Sequence, residues 1–524
     1  MRNRIKSRAV VAVLLAAGLT AAGCGGSSDK KTAKTVAAKD ASLTVVSLAA
    51  PTSLNPALNT ICASCLWFTS LAYDSLIHTG PKGKLEPALA SSWEYVGAGN
   101  THFRLHLRSG AKFADGTPVN ADAVVKSLDY MRKAGGQLAV YLGTIKSVTA
   151  GDPSTVDITL TQPNPEMATL LSSPYQLGMV ISPTALAKPS ALGNRTAGAG
   201  PYMLSRAQTV SNDHYTYVRN PNYWDKRAVH YSKITIKVVK NTTAALQVLR
   251  TGEADLALGD LNTADSAKSA GLKVYSALVA QTGIDLLDRN GVISKPLGDV
   301  RVRQALNYAI DRKTIADSVL HGEGKPVNQI GTPGTPDYVD SAADQYSYNP
   351  GKAKQLLAQA GYPNGFKTNM EIFSQNPPTS DVAQAVISDW GKIGVKVDAN
   401  VDSDGATYAK NVGSKKFATF SYGYGYQPFY LYSQTWYLPI PNPFNAFVTK
   451  DAQLLSLATR GNAATGAERS NLYQQATQRA LNLAWIAPVT SYPVLYFATS
   501  KVGNVQVDPA RPLLDVTELV PTST

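Results

Sequence analysis

The residue types best suited to bind a small molecule are concentrated between residues 417 and 437. This stretch contains six tyrosines, three phenylalanines and one tryptophan, Trp436. Tyrosine and tryptophan combine a flat apolar face with a polar edge, which suits ligands that are partly apolar and partly polar. On a β-strand Tyr422, Tyr424 and Tyr426 would share one face, because side chains alternate with a period of two. We predict that this face is a ligand-stacking platform; the alternative is that it packs in an ordinary core.

The sequence lacks the spacings that catalysis or metal binding would require. It contains no His-Glu-x-x-His, Gly-x-Ser-x-Gly or Gly-x-x-x-x-Gly-Lys motif. His102 and His106 lie in a segment that alternates polar and apolar residues, so they share a strand face with Arg104. A guanidinium is an unfavourable neighbour for a metal ligand. We therefore predict no catalytic residue, no metal site and no cofactor.

Cys62 and Cys65 are the only cysteines after Cys24, and two residues separate them. In an oxidising compartment such a pair can form a local disulfide, and the alternative is two buried free thiols. A zinc site would need two more ligands, and no second cysteine or histidine pair supplies them. We predict the disulfide, with the free thiols as the open alternative.

The N-terminus has the features of a lipoprotein signal peptide. Four basic residues among the first eight precede an apolar run at residues 9–20, which is too short to span a bilayer. The small residues at 21–23 come directly before Cys24, an arrangement similar to the lipobox of bacterial lipoproteins, in which the cysteine is lipidated. We predict a signal peptide at 1–23 and a flexible tether at 24–41. The protein would then lie outside the cytoplasm, anchored to the cell membrane through Cys24.

The composition is that of a large folded protein. Hydrophobic residues make up 44% and charged residues 17% of the 524 residues, which excludes a disordered chain. The formal net charge of +13 is scattered along the chain, without the basic stripe of a nucleic-acid binder. We predict no nucleic-acid partner and no membrane contact beyond the lipid anchor.

Short strands and amphipathic helices alternate from residue 42 onward. Alternating polar and apolar residues predict strands at 43–48, 102–108, 155–160, 233–239 and 394–398. Helical periodicity predicts helices at 121–128 (capped by Asn120), 242–250, 300–309, 351–360, 381–390 and 471–483. This mixture favours an α/β fold over a helical bundle or a β-sandwich.

A series of motifs along the chain follows the order of a known family. The motifs lie at residues 54–56, 71–77, 85–93, 103–119, 198–202, 219–224, 252–256, 300–312 and 348–362. The strongest is 300–312, Val-Arg-Val-Arg-Gln-Ala-Leu-Asn-Tyr-Ala-Ile-Asp-Arg. Through these motifs, nearly the whole chain after the tether resembles the family 5 extracellular solute-binding proteins, which serve peptide, nickel-chelate and related ABC importers.

The resemblance implies a fold and a domain organisation. The fold would be α/β: a bilobed periplasmic-binding-protein-like clamp with two hinge strands and an extra subdomain in the first lobe. The expected parts are a first lobe at 42–280 with the subdomain inserted at about 84–195, a second lobe at 281–490, and a return to the first lobe at 491–524. The hinge crossovers are expected near 277–284 and 488–493.

The resemblance also implies a binding protein, not an enzyme. Such a protein, expected to be a monomer, captures a small ligand between its lobes and delivers it to the permease subunits of an ABC importer. The family's layout implies that Trp67 and Phe68, together with Cys62 and Cys65, approach the cleft. A sensor-linked binding protein of the same fold and an enzyme on a borrowed fold are the competing classes.

The ligand is a separate question, because peptide-binding members of the family pair an aspartate with the amino terminus of the peptide. The corresponding stretch here, residues 421–429, contains no carboxylate. An unpaired ammonium in a closed cleft would bind poorly. We therefore predict an oligosaccharide, a glycoside or another neutral amphiphile as the ligand, with an oligopeptide as the alternative.

Overall fold

The computed structural model describes residues 41–59, 64–374, 377–509, 511 and 513–522. These residues belong to one compact unit that spans 36–524. The predicted signal peptide, Cys24, nearly all of the tether and Cys62 lie outside the described residues. Within the described ranges, no helix has both the length and the apolar character that a membrane span requires.

Strands and helices are interspersed along the chain, as the sequence predicts. The strands of the described residues are β1 (Ser42–Ser47), β2 (Ile77–Thr79), β3 (Leu85–Pro87), β4 (Ala90–Tyr95), β5 (His102–Leu107), β6 (Ile145–Asp152), β7 (Thr155–Leu160), β8 (Tyr202–Leu204), β9 (His214–Arg219), β10 (Lys233–Val238), β11 (Leu256–Gly259), β12 (Lys273–Asp285), β13 (Lys325–Pro326), β14 (Lys367–Phe373), β15 (Lys396–Asp402), β16 (Thr419–Gly425), β17 (Ile486–Ala498), β18 (Val502–Gly503) and β19 (Val520–Pro521). The α-helices are α1 (Trp67–Ser70), α2 (Ala121–Lys133), α3 (Met167–Leu170), α4 (Pro183–Leu186), α5 (Thr242–Arg250), α6 (Leu261–Ser269), α7 (Val300–Tyr308), α8 (Arg312–Val319), α9 (Pro350–Gln359), α10 (Pro377–Gly391), α11 (Gly405–Gly413), α12 (Phe429–Trp436), α13 (Ala452–Ala463) and α14 (Gly466–Leu483).

Each strand and helix predicted from the sequence corresponds to one of these elements, with shifts at the ends. Asn120 caps α2 as predicted, because its side-chain oxygen accepts a hydrogen bond from the Ala123 backbone N–H at 3.0 Å. The helix continues past the predicted end to Lys133, since its buried face continues through Leu128 to Met131.

Eleven strands form one large mixed sheet in the order β15-β14-β16-β12-β17-β11-β1-β10-β9-β8, with β13 paired to β17. β12 and β17 lie near its centre, have 13 residues each and pair antiparallel along their length. Two register shifts interrupt this pairing within residues 278–283 of β12. The crossovers expected near 277–284 and 488–493 fall within these two strands.

β12 and β17 connect separate hydrophobic cores. The first core contains residues of β1, α1, α2, β5 and β7 together with C-terminal residues between 502 and 519. The second core is built mainly from α7, α10 and β14, and the third from β16, α12, α13 and α14. β17 contributes Tyr496 to the first core and Val489 to the second. This division agrees with lobe boundaries at 280 and 490, which stay a prediction.

A separate four-stranded antiparallel sheet, β4-β5-β7-β6, lies within the range expected for the inserted subdomain. Along β5 the side chains alternate, with Phe103 fully buried and His102, Arg104 and His106 partly exposed. Asp157 of β7 accepts a hydrogen bond from Arg104 Nε at 2.8 Å and lies 2.9 Å from His102 Nε2. The two histidines therefore lie on the polar face of a strand, as predicted, beside charged partners.

Candidate ligand-binding site

The tyrosine-rich stretch folds into strand β16 and helix α12. β16 pairs antiparallel with β12, and Tyr422 and Tyr424 lie opposite Gly283 and Gln281. Tyr426 follows directly after β16, and its backbone N–H donates to a β12 carbonyl oxygen at 3.0 Å. The three tyrosines thus lie beside one of the two long central strands.

These tyrosines differ in their burial. Tyr422 is 3% exposed, its ring centroid lies 4.9 Å from that of Trp436, and both residues belong to the third core. Tyr424 is half-buried at the edge of that core, with its ring edge-on to Trp436 at 5.3 Å and its hydroxyl donating to Gln427 Oε1 at 2.7 Å. Tyr426 is also half-buried. Tyr424 and Tyr426 therefore retain surface for a ligand, whereas Tyr422 and Trp436 lie in the core beneath them; a ligand contact for any of the four stays a prediction.

Tyr424 lies near Tyr141 and Tyr175, two tyrosines that pack against the first core. Both tyrosines are half-buried. Burial raises the pKa of Tyr424 well above its usual value, and the neighbouring phenols of Tyr141 and Tyr175 raise it further. Burial also raises the pKa of Tyr141, while the nearby Thr435 hydroxyl of α12 opposes the rise. We call Tyr141, Tyr175 and Tyr424 the inter-core tyrosines, because Tyr141 and Tyr175 pack against the first core, Tyr424 packs against the third, and their phenol groups are near enough to interact electrostatically.

Other contacts join the same two parts of the molecule. Tyr430 and Leu431 of α12 are buried within the first core. The side-chain amide of Asn100 donates to the backbone oxygens of Asn462 at 2.8 Å and Ala464 at 3.3 Å. The parts that contribute the inter-core tyrosines are therefore in direct contact in this structure.

A carboxylate from an earlier segment of the chain lies beside this cluster. Burial raises the pKa of Glu166, while a hydrogen bond from Thr169 and the charge of Arg469 oppose the rise. The Thr169 hydroxyl donates to Glu166 Oε2 at 2.7 Å, and Arg469 Nε donates to the Ala464 carbonyl oxygen at 2.9 Å. Burial raises the pKa of Tyr175, and the negative charge of Glu166 raises it further. Glu166 is thus an acidic group near Tyr175, one of the inter-core tyrosines.

Sequence reasoning missed Glu166 as a functional candidate. The family's layout places the peptide-binding acid within residues 421–429, whereas Glu166 immediately precedes α3. Its local sequence, Pro-Asn-Pro-Glu at 163–166, indicates only a turn. Without the fold, no signal in the sequence marks this carboxylate as a neighbour of the tyrosine-rich stretch.

Trp67 and Phe68, which the family's layout placed near the cleft, are fully buried in the first core. Trp67 Nε1 donates to the Leu514 carbonyl oxygen at 2.8 Å. The Phe68 ring packs edge-on against Tyr215 at 5.0 Å. The structure does not bring these two side chains together with Tyr424 in one core, and a ligand contact for them stays a prediction.

Cys65 is a disulfide-bonded cysteine and is 4% exposed. Its predicted partner, Cys62, lies outside the described residues, so the pairing itself stays a prediction. We expect thiol titration of the unfolded, unreduced protein without its N-terminal cysteine to find no free thiol. Two reactive thiols in protein prepared from an oxidising compartment would contradict the pairing, and titration after reduction provides the control for complete access.

Comparison with known proteins identifies the family. Residues 84–445 match the model described as bacterial extracellular solute-binding proteins, family 5 Middle. Heme-binding protein A of Haemophilus influenzae is 35% identical over 435 residues, which cover 76% of this chain and 77% of that relative. The glutathione-binding protein GsiB of Escherichia coli K12 is 30% identical over 349 residues, 65% of this chain and 66% of that relative. The solved structure of the binding protein AgaA of A. tumefaciens R10 with agropinic acid aligns with a TM-score of 0.78 at 25% identity, covering 90% of this chain and 96% of that chain.

The chain belongs to the family 5 bacterial extracellular solute-binding proteins, the ligand-binding components of ABC importers. Its fold is the α/β bilobed clamp of periplasmic binding proteins, which confirms the fold expected from the resemblance. Members of this family bind solutes rather than catalyse reactions, and they act outside the cytoplasm.

Proposed function

We propose that the protein holds its solute between a first lobe (42–280 with 491–524) and a second lobe (281–490) and hands it to an ABC permease. The inter-core tyrosines are the observation that carries this proposal, because they come from both sides of the contact region. A solute held there touches both lobes at once, so its binding free energy favours the closed arrangement of the hinge strands. The closed form is then the state that a permease distinguishes from the empty one.

The ligand class that fits this surface best is a neutral amphiphile, such as an oligosaccharide or a glycoside. Phenol rings offer apolar faces against which a sugar ring packs, and their hydroxyl groups form hydrogen bonds at the edges. The Tyr424 ring is held by its edge-on contact with Trp436 and by its hydrogen bond to Gln427. Side chains that are already ordered lose little conformational entropy when a ligand binds.

A peptide is the second candidate, and Glu166 is the observation that favours it. A carboxylate beside the inter-core tyrosines offers a partner for a free ammonium group, and charge-assisted hydrogen bonds are stronger than neutral ones. The relative GsiB is named for glutathione, which is a peptide with a free amino group. In this reading the acid that residues 421–429 lack is supplied by Glu166.

A thermal-shift panel of oligosaccharides, glycosides, free peptides and N-acetylated peptides separates these two classes. A ligand at about 1,000 times its Kd stabilises the protein by about 4 kcal/mol. A neutral ligand should stabilise the wild type and Glu166→Gln equally. A peptide held through its ammonium group should instead lose its stabilising effect when it is acetylated, or when the protein carries Glu166→Gln. The control Glu94→Gln, a change at an exposed site, should still be stabilised by the free peptide. Stabilisation by acetylated and free peptides alike would contradict the role of Glu166.

We further propose that the protein is a monomer whose only membrane contact is a lipid on Cys24. Cys24→Ala should therefore shift the protein completely from the membrane fraction to the soluble fraction of the expressing cells. Fractionation followed by a high-salt wash and immunoblotting measures this, with Ser28→Ala as the matched control that stays in the membrane. A Cys24→Ala protein that remains membrane-bound after the wash would contradict the anchor.

A further inference from the structure

A cavity of about 290 Å³ lies in the part of the molecule that contains the first core. Four carboxylates line it, from Asp74, Asp225, Asp515 and Glu518, and Arg511, which is not itself among the lining residues, forms an ion pair with Glu518. The cavity is formed where the segment around β2 meets the C-terminal return. An excess of carboxylates on a concave surface concentrates cations.

Three of the lining residues are placed to share one ion. His78 of β2, Asp515 and Glu518 each offer one ligand atom, and these atoms lie within 4.8 Å of one another. His78 Nε2 is 2.9 Å from Glu518 Oε1, and Arg511 Nη1 donates to that same oxygen at 2.6 Å. Ligand atoms around Zn²⁺ lie about 3.4 Å apart, given metal–ligand distances of about 2.1 Å in a tetrahedron. An ion between the three groups would need only small rotations of these side chains, and it would replace the Arg511 guanidinium as the partner of Glu518.

Two buried hydroxyl groups in the cavity wall provide an independent indication of an occupant. Ser70 and Ser75 line the cavity and are 9% and 3% exposed. Neither hydroxyl oxygen has a hydrogen-bond partner among the described residues. Because a buried polar group without a partner costs free energy, such groups are normally satisfied by protein or by ordered water. Rotation of either hydroxyl group towards the cavity would let water bound to an ion satisfy it.

We propose that this cavity binds a divalent transition-metal ion of the Zn²⁺ type through His78, Asp515 and Glu518. One imidazole nitrogen with two carboxylate oxygens suits such an ion, whereas Ca²⁺ and Mg²⁺ prefer oxygen ligands alone. Water completes the coordination and bonds to the wall. The absence of a metal site was predicted from sequence spacing, but these ligands come from opposite ends of the chain and meet only in the fold. The ion would tie the C-terminal return to the first lobe.

Calorimetric titration of ZnCl₂ into the chelator-treated full chain tests this site. We expect the wild type to bind one Zn²⁺ and to gain thermal stability, and CaCl₂ to do neither. His78→Gln and Glu518→Gln should each weaken Zn²⁺ binding by about 10- to 100-fold or more. His106→Gln is the matched control, because His106 pairs with Glu94 at 3.8 Å on an exposed strand face and should leave the titration unchanged.

X-ray absorption of the Zn²⁺-loaded wild type tests the same site without relying on the folding of a variant. The expected spectrum has a nitrogen and oxygen shell at about 2.0–2.1 Å with a single imidazole. No saturable Zn²⁺ binding, binding that both variants retain, or a sulfur shell at about 2.3 Å would each overturn the site. In those cases His78, Arg511 and Glu518 form an ion-pair network without a ligand. Solute capture at the inter-core tyrosines is unaffected by any of these results.

Discussion

Replacing Tyr424 with alanine should remove most of the affinity for the transported solute and leave the ligand-free fold nearly intact. Truncation of an aromatic residue that anchors a ligand costs about 2–4 kcal/mol of binding free energy, which is about 30-fold or more in Kd. Tyr424 is half-buried at the edge of the third core, so the free energy of unfolding should fall by only about 1 kcal/mol. Isothermal titration with the ligand found in the panel, together with melting of the ligand-free protein, measures both quantities.

Tyr422→Ala is the matched control, because it removes the same ring two residues away on the same strand. Tyr422 is 3% exposed, and its ring packs on Trp436. This change should therefore cost about 3–5 kcal/mol of stability, as large aromatic truncations in cores do. If Tyr424→Ala also destabilised the ligand-free protein by that amount, Tyr424 would be a core residue. Unchanged affinity in Tyr424→Ala would remove it from the binding surface.

The second large effect is expected at Trp67, whose replacement by alanine should destabilise the first lobe by about 3–5 kcal/mol. The side chain is fully buried, its ring lies 6.2 Å from that of Tyr496, and Nε1 donates to the Leu514 carbonyl oxygen. Trp67 thereby joins α1, the hinge strand β17 and the C-terminal return. Urea unfolding followed by circular dichroism should show this loss as a lower midpoint of unfolding.

Trp67→Phe keeps an aromatic ring but leaves the Leu514 carbonyl oxygen without its donor, so it should lose about 1–3 kcal/mol. Trp93→Ala removes a tryptophan that is only partly buried beside the first core, and its cost should be smaller than that of Trp67→Ala. A stable Trp67→Ala protein that no longer binds the solute would show that Trp67 contacts the ligand, as the family's layout implies. A purely structural role for Trp67 in the first core would then be wrong.

Much of the fold could be predicted because local patterns and motif order are visible in the sequence. The alternation at β5 and the cap at Asn120 each reflect interactions between near neighbours in the chain. The motif at 300–312 placed the chain in its family, and the family supplied the two-lobed clamp. The crossovers expected near 277–284 and 488–493 stay a prediction; the long strands β12 and β17 span these residues.

The site could be predicted only in part, because burial depends on which elements meet. The period-two alternation places Tyr422 and Tyr424 on the same face of the strand. It cannot show that helix α12 covers Tyr422 and leaves the edge of Tyr424 open. Tyr175 and Glu166 come from segments without any sequence signal. His78 and Glu518 are likewise neighbours only after the C-terminal return packs against the first lobe.

A crystal structure of the protein soaked with the ligand found in the thermal-shift panel tests directly whether the solute binds between the two lobes. We expect ligand density between Tyr424 on one side and Tyr141 and Tyr175 on the other, with protein groups of both lobes within hydrogen-bonding distance. Density confined to one lobe, or located in the cavity of Asp74 and His78, would contradict it.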